Sequence, residues 1–153
     1  MQLLNLDDIF MNIALLEAKK SKEMNEVPVG AIIVINGEVI SKSHNKSISQ
    51  NDPTSHAEIN ALRDAAKKVG NYRLTGASLY VTLEPCAMCY GAIIHARISR
   101  LIFGAYDPKT GVCKSSIKLH GQKCFNHIPV LTEGVLKEDC SLILKDFFKE
   151  RRN

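Results

Sequence analysis

Two short segments carry residues whose types and spacing could do chemistry: His56-Ala57-Glu58 and Pro85-Cys86-Ala87-Met88-Cys89. Cysteines three apart on a first helical turn project to the same side, close enough to share one ion. A Cys-x-x-Cys pair has other readings: a thioredoxin-like redox pair, half of a structural zinc site, or two small buried residues. His56 shifts the balance. Two thiolates and one neutral imidazole make three protein ligands, the number found where zinc keeps its fourth position open for water. The two thiolate charges cancel that of Zn²⁺, so the ion can sit in a partly dry pocket. Glu58 then stands near as a proton carrier. Side chains two apart normally diverge, so this role requires His56 at the very start of its helix. The plainer reading is that His56 caps a helix and Glu58 favours its positive end. A structural zinc site would use four protein ligands, and no further Cys or His has fitting spacing. Cys113, Cys124 and Cys140 are scattered and read as small core or surface residues, and His44, His95, His120 and His127 as lone histidines.

The elements that must position these groups alternate along the chain. Ile9, Ile13, Leu15 and Leu16 recur behind Asp7-Asp8 and predict a helix over about 7–22. Val29 to Ile35 and Glu38 to Ser43 predict a hairpin about Asn36-Gly37, a pair that tolerates the positive φ of a two-residue turn. After a polar loop, Asn45 to Pro53, Thr54 and Ser55 are the expected caps of a helix over about 56–69, with Ile59, Leu62 and Ala66 on one face. A strand over Ser78–Thr82 ends at Glu84-Pro85, and Pro85 opens a helix over Cys86–Ala96. Strands over Arg100–Gly104 and Val130–Thr132 and a helix over Glu138–Arg151 complete the pattern. Tyr106 to Cys124 shows only turn residues, Asp107, Pro108 and Gly111. Such alternation predicts an α/β class, a central sheet covered by helices on both faces. No repeat or linker divides residues 1–153, which read as one domain.

With 45% hydrophobic and 24% charged residues, disordered, collagenous and low-complexity classes are excluded. The longest apolar stretch, Val27 to Ile35, is about half of the ~20 residues a membrane span needs, so no membrane partner is expected. The start lacks a basic n-region, which predicts a cytoplasmic protein whose five cysteines stay reduced. A net charge of +4 permits an anionic partner without demanding one. The run from Lys145 to Asn153 joins cations to Phe147 and Phe148.

The two segments resemble the H-x-E…P-C-x-x-C signature of the zinc nucleoside and nucleobase deaminases. Further stretches are similar to the bacterial tRNA-specific adenosine deaminases of the cytidine/deoxycytidylate deaminase superfamily. These are Glu26-Val27-Pro28-Val29-Gly30-Ala31, Asn51-Asp52-Pro53-Thr54, Asn71-Tyr72-Arg73-Leu74, Thr82-Leu83-Glu84-Pro85, Phe103-Gly104-Ala105, Lys109-Thr110-Gly111 and Asp146-Phe147-Phe148. The likeness covers about residues 7–152 and lapses over Val112 to Phe125.

That resemblance implies a three-layer α/β/α fold with a mixed sheet of about five strands. It implies one zinc per subunit on His56, Cys86 and Cys89, with Glu58 moving protons between the attacking water, adenine N1 and the departing ammonia. The implied reaction converts adenosine to inosine at the wobble position of a tRNA anticodon. Asn45, Gly30 and Ala57 are the implied contacts to the flipped nucleoside, Gly30 because a base can approach a strand that lacks a side chain. Asp107 and Lys109 would touch RNA from their loop, and Phe148 and Arg152 from the last helix, beside the anticodon stem-loop. Phe147 fits the apolar face with Ile143 and Leu144 at least as well. A homodimer is also implied, and the apolar helix residues Ala92, Ile93, Ile94 and Ala96 suggest a face one small core cannot cover. The alternative is a free-base or nucleotide deaminase of guanine, cytosine or cytidine type, which shares the zinc chemistry and differs only in the outer pocket. A third reading is a zinc-stabilised RNA-binding module without catalysis, which leaves Glu58 unexplained.

Overall fold

The computed structural model describes residues 5–152. Within them the elements run α1 (Leu6–Glu23), β1 (Gly30–Ile35), β2 (Glu38–His44), α2 (Ala57–Val69), β3 (Ser78–Leu83), α3 (Ala87–His95), β4 (Arg100–Ala105), β5 (Val130–Thr132) and α4 (Lys137–Arg151). The strands form one mixed sheet in the order β2-β1-β3-β4-β5. β1 pairs antiparallel with β2 and β3, while β3, β4 and β5 run parallel. The hairpin turns as expected: Asn36 and Gly37 take φ of 52° and 76°, so Ile35 faces Glu38.

Strand residues alternate between two apolar layers, which is why β1, β3 and β4 read as nearly unbroken hydrophobic runs. Ala31, Ile33, Leu79, Val81, Leu101 and Phe103 face α2 and α3, packing on Ala61, Leu62, Ala65, Tyr90 and Ile93. Ile32, Val34, Tyr80 and Ile102 face the other way, onto Met11, Ala14 and Leu15 of α1 and Cys140 of α4. This is the three-layer α/β/α arrangement with five strands.

Two local expectations are corrected. Thr54 and Ser55 do not cap α2: the Thr54 hydroxyl donates to Asp52 Oδ1, the Ser55 hydroxyl to Gln50 Oε1, and the N-cap is His56. Asp52 shapes an Asx turn that delivers the chain to His56 and needs the hydroxyl there instead. On α3 and its C-cap, Ile93, Ile94 and Ala96 are buried in the chain's own core and Ala92 is half-buried, so these four do not make an exposed apolar face. The stretch Val112 to Phe125 has no regular element, yet Val112 and Cys113 are buried and the Phe125 ring meets Tyr90 edge-on at 5.4 Å.

Candidate active site

Two helices begin at one point. His56 is the N-cap of α2 and Cys86 the N-cap of α3, both in extended backbone and neither spending its side chain on a capping hydrogen bond. The N-cap backbone of His56 is extended and not helical, which frees it from the divergence of i and i+2 on a helix, and Glu58 in the first turn of α2 is near enough for the two charges to interact. Cys89 lies one turn into α3. Helix N-termini carry partial positive charge, which favours thiolates and a carboxylate gathered there.

His56 Nδ1 lies 3.7 Å from Cys86 Sγ and 3.4 Å from Cys89 Sγ. A tetrahedral zinc bonded at about 2.3 Å to sulfur and about 2.05 Å to nitrogen would hold such atoms about 3.6 Å apart. The three ligand atoms lie within 4.8 Å of one another, and among the described residues they are the one His/Cys/Asp/Glu group so placed. Distance and donor chemistry both fit one zinc with an open fourth position. The hydrogen bond between the two cysteines and then His56 pull the Cys86 thiol down, while that same bond and burial push the Cys89 thiol up, so Cys86 is the one that ionises first. Glu58 is 4% exposed, and that burial pushes its carboxyl above the ordinary carboxylate range. A carboxyl shifted towards neutrality is suited to give and take protons.

Above the corner opens a cavity of about 160 Å³ lined by Val27, Val29, Asn45, His56, Glu58, Leu83, Glu84, Cys86, Asp107 and Thr110. Drug-sized pockets run about 300–1,000 Å³, so this one takes a single flat heterocycle. Val27, Val29 and Leu83 offer apolar walls to its faces. Asn45 stands on the rim with its backbone fixed: its N–H donates to Val29 O and its carbonyl accepts the Ser21 hydroxyl. The loop that follows is held by Glu26, which is fully buried and accepts the N–H groups of Ile48 at 3.0 Å and Ser49 at 2.9 Å.

The other residues singled out from the sequence divide. Asp107 borders the cavity, but its carboxylate shapes its own turn, accepting the N–H groups of Lys109 and Thr110 and the Thr110 hydroxyl. Ala57 is buried between the two motif residues and does not line the cavity. Lys109 is exposed on the Asp107 loop, outside the lining. Phe147 is core, covered by the Arg151 guanidinium at 4.6 Å, whereas Phe148 is 44% exposed and Arg152 sits exposed at the C-cap of α4. Gly30 is glycine for a different reason than expected. A Cβ there would fall 1.9 Å from Ala14 O and 2.6 Å from Ala18 N, so the missing side chain is what admits α1 against the strand. Val27, Val29, Leu83, Glu84 and Thr110 went unnoticed as site residues. Val27-Pro28-Val29, an apolar pair about a proline just ahead of β1, is the signal that could have found two of them.

Residues 4–105 match the family described as the cytidine and deoxycytidylate deaminase zinc-binding region. A relative from Haemophilus influenzae, named as a tRNA-specific adenosine deaminase, is 50% identical over 147 residues, covering 95% of this chain and 85% of its own. A solved structure from work on A-to-I editing by tRNA:A34 deaminases at the wobble position is 46% identical with a TM-score of 0.87, covering 89% of this chain and 99% of its own. A guanine deaminase from Nitrosomonas europaea is similar in fold, with a TM-score of 0.82 at 20% identity, covering 95% of this chain and 86% of its own.

Proposed function

This chain belongs to the cytidine and deoxycytidylate deaminase family, and on that premise we propose that it converts adenosine to inosine at the wobble position of a tRNA anticodon, as one domain, releasing ammonia. The observation that carries the chemistry is a buried carboxyl, Glu58, beside a three-ligand zinc corner on the floor of a one-base cavity. Near-full-length likeness at 50% to a tRNA-specific adenosine deaminase supports the RNA substrate, whereas the guanine deaminase shares only the fold at 20%.

Zinc held by His56 Nδ1 and the Cys86 and Cys89 thiolates supplies Lewis acidity, which brings the pKa of water towards about 7. Glu58 takes a proton from the attacking water and delivers it to adenine N1 as the water oxygen bonds to C6. It then takes the remaining proton from the C6 hydroxyl and gives it to the amine, which leaves as ammonia when the C6–N bond breaks. Val27, Val29 and Leu83 keep bulk water from the faces of the ring, and the Asn45 amide holds the nucleoside at the rim. Because the cavity has room for little more than the base, the adenosine must leave its stack to enter. Flanking nucleotides then lie outside, where Lys109, Phe148 and Arg152 meet phosphate and bases.

The reading is tested by incubation with an anticodon stem-loop carrying adenosine at the wobble position, and separately with free adenosine, cytidine and guanine. Inosine should form in the stem-loop and the free compounds should react poorly, since they lack the flanking contacts that position the base. Efficient turnover of a free base with no response to the stem-loop overturns it. The working form is a cytoplasmic homodimer. Family likeness supports this, and Ala87 and Met88 stay exposed on α3. A light-scattering mass near 17.0 kDa at micromolar concentration refutes the dimer.

A further inference from the structure

We propose that Glu84 is a positioning residue that anchors the rim loop of residues 107–115 to the metal corner and thereby sets how the active site receives a nucleotide within RNA. The proposal rests on the function proposed above for its RNA part.

Glu84 follows β3, two residues before the ligand Cys86, and is 2% exposed. A buried carboxylate without partners is strongly unfavourable. This one is met by five donors: Oε1 accepts the Asp107 N–H and the Ser115 hydroxyl, and Oε2 accepts the N–H groups of Cys113, Lys114 and Ser115. Three consecutive N–H groups converging on one oxygen form a backbone nest, a built anion site whose anion is the protein's own. The contacts reach both ends of the loop, Asp107 at its start and Cys113 to Ser115 at its finish. The main chain beside Glu84 tightens the same junction, with Glu84 N–H donating to Ala105 O at 2.8 Å and Val112 N–H to Pro85 O at 3.0 Å.

Gly111 shows how closely the loop is fitted. A Cβ there would lie 2.4 Å from Glu84 Cδ and 2.6 Å from Oε1, so the loop closes over the carboxylate only because residue 111 has no side chain. Asp107 at the pinned start and Thr110 between the pinned ends both stand on the cavity wall with Glu58. Glu84 also lines the cavity, yet it is no second proton carrier. Its two oxygens offer about four lone-pair sites, and five donors already occupy them. Its position makes one short segment serve two ends: Cys86 fixes the metal corner while Glu84, two residues earlier, fixes the rim.

The test uses the full-length, zinc-loaded protein carrying Glu84→Gln, which replaces one acceptor with a donor facing backbone N–H groups, and separately Gly111→Ala, which displaces the loop and leaves the carboxylate intact. Both should keep one zinc per chain. Amide exchange at Asp107, Cys113, Lys114 and Ser115 should rise by at least about tenfold, with Leu79 to Val81 unchanged. The KM for the anticodon stem-loop should rise about tenfold while the single-turnover rate at saturating RNA stays within about threefold. If Glu84→Gln does not fold, Gly111→Ala decides alone. Unchanged exchange, an unchanged KM, or loss of zinc overturns the proposal, the last because Glu84 would then be holding the metal corner. A wild-type protein that ignores the stem-loop overturns the proposed function instead, and the exchange measurement still decides whether Glu84 anchors the loop.

Discussion

On the cavity floor, His56 and Cys86 cap two helices and Cys89 lies one turn inside, so each ligand is placed by an element whose other faces are packed in the core. On the rim, Asn45 and the Asp107–Thr110 turn sit on loops with no regular structure, each tied down by one buried glutamate, Glu26 or Glu84. The difference matches what each part does. Proton transfer and metal binding require fixed geometry, which helix termini and strands supply. An RNA chain must be admitted and released, and loops held by a few hydrogen bonds can yield where a core cannot. Floor and rim should therefore fail in different ways.

The sharpest separation comes from Glu58→Gln. Shape and burial are kept, so zinc should stay at one per chain and stem-loop affinity should hold. The single-turnover rate should fall by about 10⁴-fold, the upper range for a general acid–base group, because this carboxyl serves more than one proton transfer. A quenched-flow assay with inosine detection measures it, and a rate near wild type would mean that Glu58 does not carry the protons.

The Cys86→Ser/Cys89→Ser pair attacks the floor through its metal. Elemental analysis should find almost no zinc. At free zinc near 100 times Kd, bound metal adds about 2.7 kcal/mol to the wild type. The variant should therefore melt roughly 5–10 °C below the loaded wild type, and chelated wild type should melt close to the variant. Amide exchange at Cys113 to Ser115 should change little, because Glu84 and not zinc holds that loop. Parallel loss of protection there would join floor and rim into one unit.

Gly30→Ala asks which region that strand glycine serves. With α1 backbone in the way of a Cβ, the helix must shift, and overpacking of this kind costs about 1–3 kcal/mol. Denaturant unfolding should show that loss, while KM for the stem-loop stays unchanged in the molecules that remain folded. A raised KM with intact stability would return Gly30 to the nucleoside pocket.

The same division governs what the sequence made legible. The floor was readable because His56 with Glu58, and Cys86 with Cys89, each fall within one turn of a helix start, where ligand spacing and helical spacing reinforce each other, although the two pairs stand about 30 residues apart. The hairpin was readable because Asn36-Gly37 accepts positive φ at both positions. The rim was not. Glu84 meets partners 23 to 31 residues away and Glu26 partners 22 and 23 away, and such contacts leave no periodic mark in the chain. Thr54 and Ser55 misled because helix capping and Asx-turn chemistry use the same residue types. Gly30 stood out for lacking a side chain, but the sequence does not show which neighbour fills the space.

The smallest expected effect bears on how far RNA contact extends past the rim. Lys109 is exposed on the loop that Glu84 anchors, one or two residues from the cavity-lining Asp107 and Thr110. Arg152 caps α4, which packs in the layer of α1 on the opposite side of the sheet from α2 and α3. Each lost phosphate contact should lower the slope of log affinity against log salt by about 0.7–0.9. Lys109→Ala and Arg152→Ala should therefore each flatten the slope by about one unit or less and weaken stem-loop binding at low salt. The single-turnover rate at saturating RNA should stay within about twofold, since neither cation touches the reacting base. Filter binding from 50 to 200 mM salt, a range over which phosphate contacts change affinity measurably, provides the comparison. Equal flattening in the two variants relative to wild type would mean that the bound RNA passes from the Asp107 loop around to α4. A change for Lys109 alone would confine recognition to the rim, and α4 would then serve the core through Phe147 and leave Phe148 and Arg152 to solvent.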